Sequence, residues 1–197
     1  MVAPASMLRD VAEQVVLDRR HLHAHPELGF QERETAAFVA ERLRSLGLEV
    51  QMGVAQTGVV GLLRGALPGK TVLLRADIDA LPIQEQNEVP YRSQVAGVMH
   101  AGGHDGHTAI LLNTARVLAE RPDRLAGAVK FVVQPSEEAP PGGAIKMIEE
   151  GVLEQPHVDA AFGLHLGQNL PLGTIMARPG PISAASDRFK IDVAGKG

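Results

Sequence analysis

Chemistry-bearing side chains crowd one stretch of this 197-residue chain. In Met99-His100-Ala101-Gly102-Gly103-His104-Asp105-Gly106-His107-Thr108-Ala109, three histidines and an aspartate stand among glycines, just ahead of an apolar helical pattern. Imidazole and carboxylate are donors for a divalent first-row metal, and glycine lets the backbone turn tightly enough for nearby residues to converge. His104 and His107 stand i, i+3 where the helix begins, so one helix face can present both. The plainer alternative is a capped turn, with Asp105 as the helix N-cap. Three further places carry donors. Asp77 and Asp79 end a Val/Leu-rich run, where a turn or an ion pair with Arg75 is the alternative. Glu137 and Glu138 follow another such run; adjacent side chains on extended backbone point to opposite sides, so one can face a metal and the other a substrate, unless the pair is an exposed acidic loop. His165 ends an apolar run, where a hydrogen-bonded core histidine is the commoner case.

The elements that must position these residues are legible from periodicity. Leu8, Val11, Val15 and Leu22 recur at helical spacing up to His25-Pro26, where proline disfavours helix for the residue before it. His21, His23 and His25 lie at that helix end and do not share one face, which reads as structural. A second helix is expected over residues 31–46, with Ala36, Val39, Ala40, Leu43 and Leu46 inside and Gly47 as the stop. Strands are expected over 48–52, 58–64 and 71–76, separated by Gly and Pro signals. A helix over 104–120, an interior strand over 127–134, a helix over 144–153 and an interior strand over 159–166 follow, with further strands at 174–177 and 189–193. This alternation predicts an α/β fold: a mixed, mostly parallel sheet flanked by helices, whose strand carboxyl ends carry the ligands.

Composition narrows the function. A formal charge of −4 with Lys and Arg scattered gives no stripe for nucleic acid. No apolar run is long enough to span a bilayer and no leader is visible, so a cytoplasmic protein is expected, with neither membrane nor nucleic acid as partner. There is no cysteine, which excludes disulfides and any thiolate chemistry.

Five motifs occur in order: Arg20-His21-Leu22-His23-Ala24-His25-Pro26-Glu27-Leu28-Gly29-Phe30-Gln31-Glu32, Leu74-Arg75-Ala76-Asp77-Ile78-Asp79-Ala80-Leu81-Pro82-Ile83, the 99–109 stretch, Gln134-Pro135-Ser136-Glu137-Glu138, and Gly163-Leu164-His165. This series resembles the metal-dependent amidohydrolase and carboxypeptidase family of hippurate hydrolase, indoleacetyl-amino-acid hydrolases and N-acetyl-diaminopimelate deacetylase, and it covers nearly the whole chain. The resemblance implies a zinc-peptidase-like catalytic domain that hydrolyses N-acyl amino acids or small peptides at a two-metal centre, with manganese or zinc, or else cobalt or nickel. By the same resemblance Glu137 is the general base, counted with Asp79 as catalytic. His104, Glu138 and His165 are metal ligands, and Gly102 stands at the position of the family's cysteine ligand. Asp77, Asp105 and His107 back the ligands and orient them.

Two departures belong to the reading. Gly102 cannot ligate, so water or another side chain must fill its place, which tilts the site toward harder metals such as manganese. Family members are about twice as long. Residues 1–186 are expected to form the first part of the catalytic domain and 187–197 the first strand of an inserted dimerisation or lid domain, so the expected fold is truncated and self-associates into a homo-oligomer through uncovered apolar surface. The alternative function is a non-catalytic remnant that keeps the fold and at most a weak metal site.

Overall fold

In the computed structural model, which describes residues 5–182, 184 and 189–196, the apolar stripes read from the sequence close over one mixed sheet. The chain begins with α1 (Ala5–Ala24) and α2 (Arg33–Ser45), then runs through β1 (Glu49–Val54), β2 (Gly58–Arg64) and β3 (Leu67–Asp77). After a long connection come α3 (His104–Ala119), β4 (Ala126–Gln134), α4 (Gly143–Glu149) and β5 (Ala160–Gly163). The strand order is β1-β2-β4-β3-β5. β1 with β2 and β2 with β4 are antiparallel, whereas β3 pairs parallel with both β4 and β5.

Alternation along β4 feeds two cores. Val129, Phe131 and Val133 join Val39, Leu43, Leu112 and Ala115 of α2 and α3 on one face of the sheet. Val132 lies on the other face with Leu73, Met147 and Val152. The expected inner residues Ala36, Val39, Ala40 and Leu43 of α2 are buried, and Gly47 takes a left-handed φ of 82° as the stop requires. Asp18, buried on α1, fastens three helices: its Oδ2 accepts from Arg42 of α2 at 2.9 Å and from Asn113 of α3 at 2.8 Å.

Three expectations change. β5 is shorter than 159–166, and its residues are exposed at the end of the sheet rather than interior, because among the described residues only β3 pairs with it. Residues 174–177 and 189–193 form no strand; runs of Val, Ile and Phe need a partner strand for their backbone groups, and none is present among the described residues. Two compact units divide at Leu166: among the described residues, Met1–Leu166 holds every helix and strand and Gly167–Gly197 has no regular secondary structure. The expected boundary at residues 186–187, and Arg188 after it, lie outside the described residues. No helix among the described residues is long and apolar enough to cross a membrane.

Candidate metal centre

The parallel register of β3 and β4 creates the site. Asp77 stands opposite Gln134, so the chain leaves the two strands side by side and carries Asp77–Asp79 and Ser136–Glu138 to the same edge. Carboxyl ends of parallel strands are where open α/β sheets bind ligands. The N-terminus of α3 meets this edge and delivers His104 and His107, whose ring centroids are 5.5 Å apart, as the i, i+3 spacing anticipates.

His104 is the centre of the cluster. Its Nδ1 donates to the Asp79 carbonyl at 2.8 Å, which fixes the ring and turns Nε2 toward the surrounding carboxylates. That nitrogen lies 3.7 Å from Glu138 Oε1, 3.8 Å from Glu137 Oε2 and 3.6 Å from Asp77 Oδ2. Burial alone would strip the proton from His104, but the Asp79 and Asp77 carboxylates overcome it and hold the pKa up to about 9. An imidazole drawn toward a positive charge in this way is equally disposed to a cation.

Asp79 is a brace. Its Oδ2 accepts from the Glu138 backbone N–H at 3.0 Å, and its Oδ1 lies 3.3 Å from His104 Nδ1. It therefore holds the histidine and the glutamate turn to one another. Burial works against its charge, yet His104 and the Glu137 and Glu138 backbone outweigh that and lower its pKa. Asp77 is gripped harder. Its Oδ1 accepts from His107 Nδ1 at 2.7 Å and its Oδ2 pairs with Arg75 at 2.7 Å; burial opposes the charge, but these partners bring the pKa down to about 2. His107 Nε2 in turn accepts from the Leu166 N–H at 2.9 Å.

Among the described residues, two groups of donors come within reach of a single ion: Asp77, His104 and His107, and His104, Glu137 and Glu138. They share one Nε2 lone pair, which serves one ion. In the first group Asp77 and His107 are already engaged by Arg75 and by the Leu166 backbone. In the second, the Glu137 and Glu138 side chains stand 42% and 32% exposed. Glu138 and His104 donors 3.7 Å apart, with bonds of about 2.1 Å, subtend roughly 120° at an ion. The second group fits a divalent cation. Burial, and then the charge of Glu137, raise the Glu138 pKa, a strain that a cation relieves.

The remaining expected residues divide. Gly102 borders the cluster: a Cβ there would lie 2.9 Å from Glu138 Oε1 and 3.4 Å from His104 Nε2. His165 is exposed, outside both donor groups, with its Nδ1 on the Leu166 carbonyl and its ring 4.7 Å from that of His107. Asp105 turns away from the cluster. Its Oδ2 accepts from His23 Nδ1 at 2.7 Å and from Arg19 at 3.1 Å, so it orients α1 rather than a ligand.

Several supports are invisible to local reading. His23, read as structural, is buried between Asp105 and Glu85, and the Asp105 hydrogen bond above all raises its pKa. Glu32 reaches across the fold: its Oε1 accepts from the Ser136 N–H at 2.8 Å and its Oε2 from Thr57 at 2.6 Å. Ser136 holds a left-handed φ of 47°, and Glu32 pins this turn immediately before Glu137. Glu27 caps α2, accepting from the backbone of Arg33, Glu34 and Thr35. His100 is buried with neither ring nitrogen hydrogen-bonded, and burial pushes its pKa down to about 4. The only sequence signal for these supports was their place inside the motifs.

Residues 73–195 match peptidase family M20/M25/M40. The thermostable carboxypeptidase 1 of Saccharolobus solfataricus is 47% identical over 192 residues, 96% of this chain and 48% of the relative. The N-acyl-L-amino acid amidohydrolase of Geobacillus stearothermophilus is 47% identical over 191 residues, 97% of this chain and 51% of the relative. Among solved structures, the Bacillus subtilis YXEP protein, described as a dinuclear metal binding peptidase, superposes with a TM-score of 0.82 at 44% identity, covering 88% of this chain and 48% of that one. The chain thus spans about half the length of these relatives.

Proposed function

Because this chain belongs to peptidase family M20/M25/M40, we propose that it hydrolyses the amide bond of N-acyl amino acids or small peptides with the help of bound divalent metal. The observation that carries the reading is the His104 ring, locked at Nδ1 by Asp79 and presenting Nε2 to two glutamate carboxylates at 3.7 and 3.8 Å. The names of the relatives, a carboxypeptidase and an N-acyl-L-amino acid amidohydrolase, support the substrate class.

His104 and Glu138 would hold the ion, with His165 on the rim as the further imidazole and a second ion in the complete site. Manganese and zinc suit this nitrogen and oxygen set, and cobalt and nickel are the alternatives. When bound, the metal supplies Lewis acidity, which acidifies water and polarises an acyl oxygen. Glu137, the more exposed of the pair, takes the proton from the attacking water and returns it to the leaving amine nitrogen. Asp79 keeps Glu137 and Glu138 in register with His104, acting through them rather than on substrate. Asp77 and His107 anchor that arrangement to the sheet.

The test is amino-acid release from N-benzoylglycine and N-acetyl amino acids by the 197-residue chain loaded with manganese or zinc. Metal-dependent release that chelation abolishes, and that falls by about 10²–10⁴ in Glu137→Gln, is the expected result. A chain that binds metal and releases nothing, with any of the four metals, would overturn it in favour of a non-catalytic, metal-binding role. The observation favouring that second reading is Gly102, which brings no donor to the cluster.

A further inference from the structure

The connection between β3 and α3 carries a loop that is closed at its neck and tied down along its length. Leu81 and Met99 exchange backbone hydrogen bonds at 3.0 Å, and residues 82–98 leave and return through that pair. The loop forms no helix or strand of its own. It rests on the end of α1: the Gln94 N–H donates to the Ala24 carbonyl at 2.9 Å, the Arg20 guanidinium stands 4.9 Å from the Tyr91 ring centre, and Glu85 Oε1 meets His23 Nε2 at 3.0 Å.

His23 is the unusual member of this contact. Its Nδ1 meets Asp105 of α3 at 2.7 Å, so both nitrogens of one buried imidazole face carboxylates. Both carboxyls are held below their ordinary range although burial opposes their charge: at Asp105 the His23 hydrogen bond outweighs burial, and at Glu85 the Ser93 N–H does so together with His23. An ionised carboxylate only accepts, so each ring nitrogen must donate, and only the imidazolium has two N–H groups. Arg19 stands on Asp105 at 3.1 Å, Tyr91 lies edge-on with ring centres 5.8 Å apart, and His100 behind them is kept neutral by burial.

Loss of one proton leaves one N–H for two carboxylates. Asp105 has the shorter bond to His23 and keeps Arg19, whereas the other partners of Glu85, the Ser93 N–H and the Asn87 amide, belong to the loop itself. The remaining proton therefore stays toward Asp105, and the Nε2 lone pair faces a buried carboxylate. Glu85 can leave with its loop partners intact.

We propose that the 82–98 loop is a pH-released strap: doubly protonated His23 bolts Glu85 of the loop and Asp105 of α3 to α1, and neutral His23 lets the loop lift off while its neck at Leu81 and Met99 holds. The strap is closed below the ordinary histidine value of 6.5 and opens as pH rises through the raised value of the folded state. The device needs neither metal nor substrate.

One tyrosine and no tryptophan make the loop easy to follow. Tyr91 emission of the 197-residue chain is recorded from pH 6 to 9, beside far-ultraviolet circular dichroism and tryptic cleavage after Arg92, each cleavage rate taken relative to a free peptide of residues 82–98. The expected result is a single-proton step in emission with its midpoint above 6.5, a relative cleavage rate that rises at least roughly tenfold across it, and an unchanged helical signal. Glu85→Gln, whose amide can donate to the neutral ring, should hold the loop at every pH; Glu85→Ala should leave it cleavable already at pH 6. His23→Gln, with nothing to titrate, should show no step. Flat emission and cleavage in the unaltered chain, the same step in Glu85→Gln or His23→Gln, a step that carries helix loss with it, or a Glu85→Ala chain as protected at pH 6 as the unaltered one overturns the proposal. Should His23→Gln fail to fold, the two Glu85 variants decide.

Discussion

The two halves of the donor cluster are built to different standards. Asp77, Asp79, His104 and His107 lie at the carboxyl end of β3 and the start of α3, no more than 2% exposed, in a chain of mutual hydrogen bonds and ion pairs. Glu137, Glu138 and His165 stand opposite them, partly or largely exposed, and the two glutamates are tied into the chain of contacts through their backbone on Asp79. The buried half is set when the sheet forms, because its charges are tolerated inside only while paired. The exposed half pays no such cost and keeps its oxygens available. A metal centre needs both: a rigid side that fixes geometry and an open side that admits ion and substrate.

The largest test of this contrast is Asp77→Ala. It leaves the Arg75 guanidinium and His107 Nδ1 without their carboxylate, and should lower stability by about 3–5 kcal/mol in urea unfolding. A loss below about 1 kcal/mol would erase the distinction between the halves.

Next comes a pH effect in the metal-free chain. The folded-state pKa of His104, about 9, stands above its ordinary 6.5, so the protonated ring favours the folded state. That stabilisation is complete below pH 6.5 and disappears as pH rises through 9, a loss of at most about 3 kcal/mol. Bound metal replaces the proton, so metal-loaded protein should not lose stability across this window. Thermal unfolding from pH 6 to 10, with and without metal, reads the difference.

Glu32→Ala probes a link between the halves. Ser136 N–H and the Thr57 hydroxyl lose their acceptor, for about 1–3 kcal/mol in stability. The turn before Glu137 also loosens, and metal affinity measured by calorimetry should fall about tenfold although Glu32 touches no donor of the cluster. The smallest stability effects belong to the open half: Glu137→Gln and His165→Ala should each stay within about 0.5 kcal/mol of the unaltered chain. Glu137→Gln should do so even while abolishing turnover.

Much of the framework was legible because it is periodic. The apolar spacing in α2 and α3 and the Val-rich runs of β2 and β4 were read within a few residues of their observed bounds. Local periodicity reports which face an element buries, not which element it meets. For that reason β5 was misread as interior, and Asp105 was read as backing and orienting the metal ligands although its carboxylate points at His23 and Arg19 on α1. The Glu32 contact to Ser136 spans 104 positions and leaves no trace in spacing.

By itself the sequence determined the donor types, their order along the chain, and the lack of a donor at Gly102, since side-chain chemistry and chain order are written in it directly. Only the tertiary structure decided which donors converge: the parallel pairing of Asp77 with Gln134 brings Asp79 to Glu138, and the start of α3 sets His104 between them. Convergence depends on sheet register and helix docking, which arise from packing the whole core at once and not from any one stretch of residues.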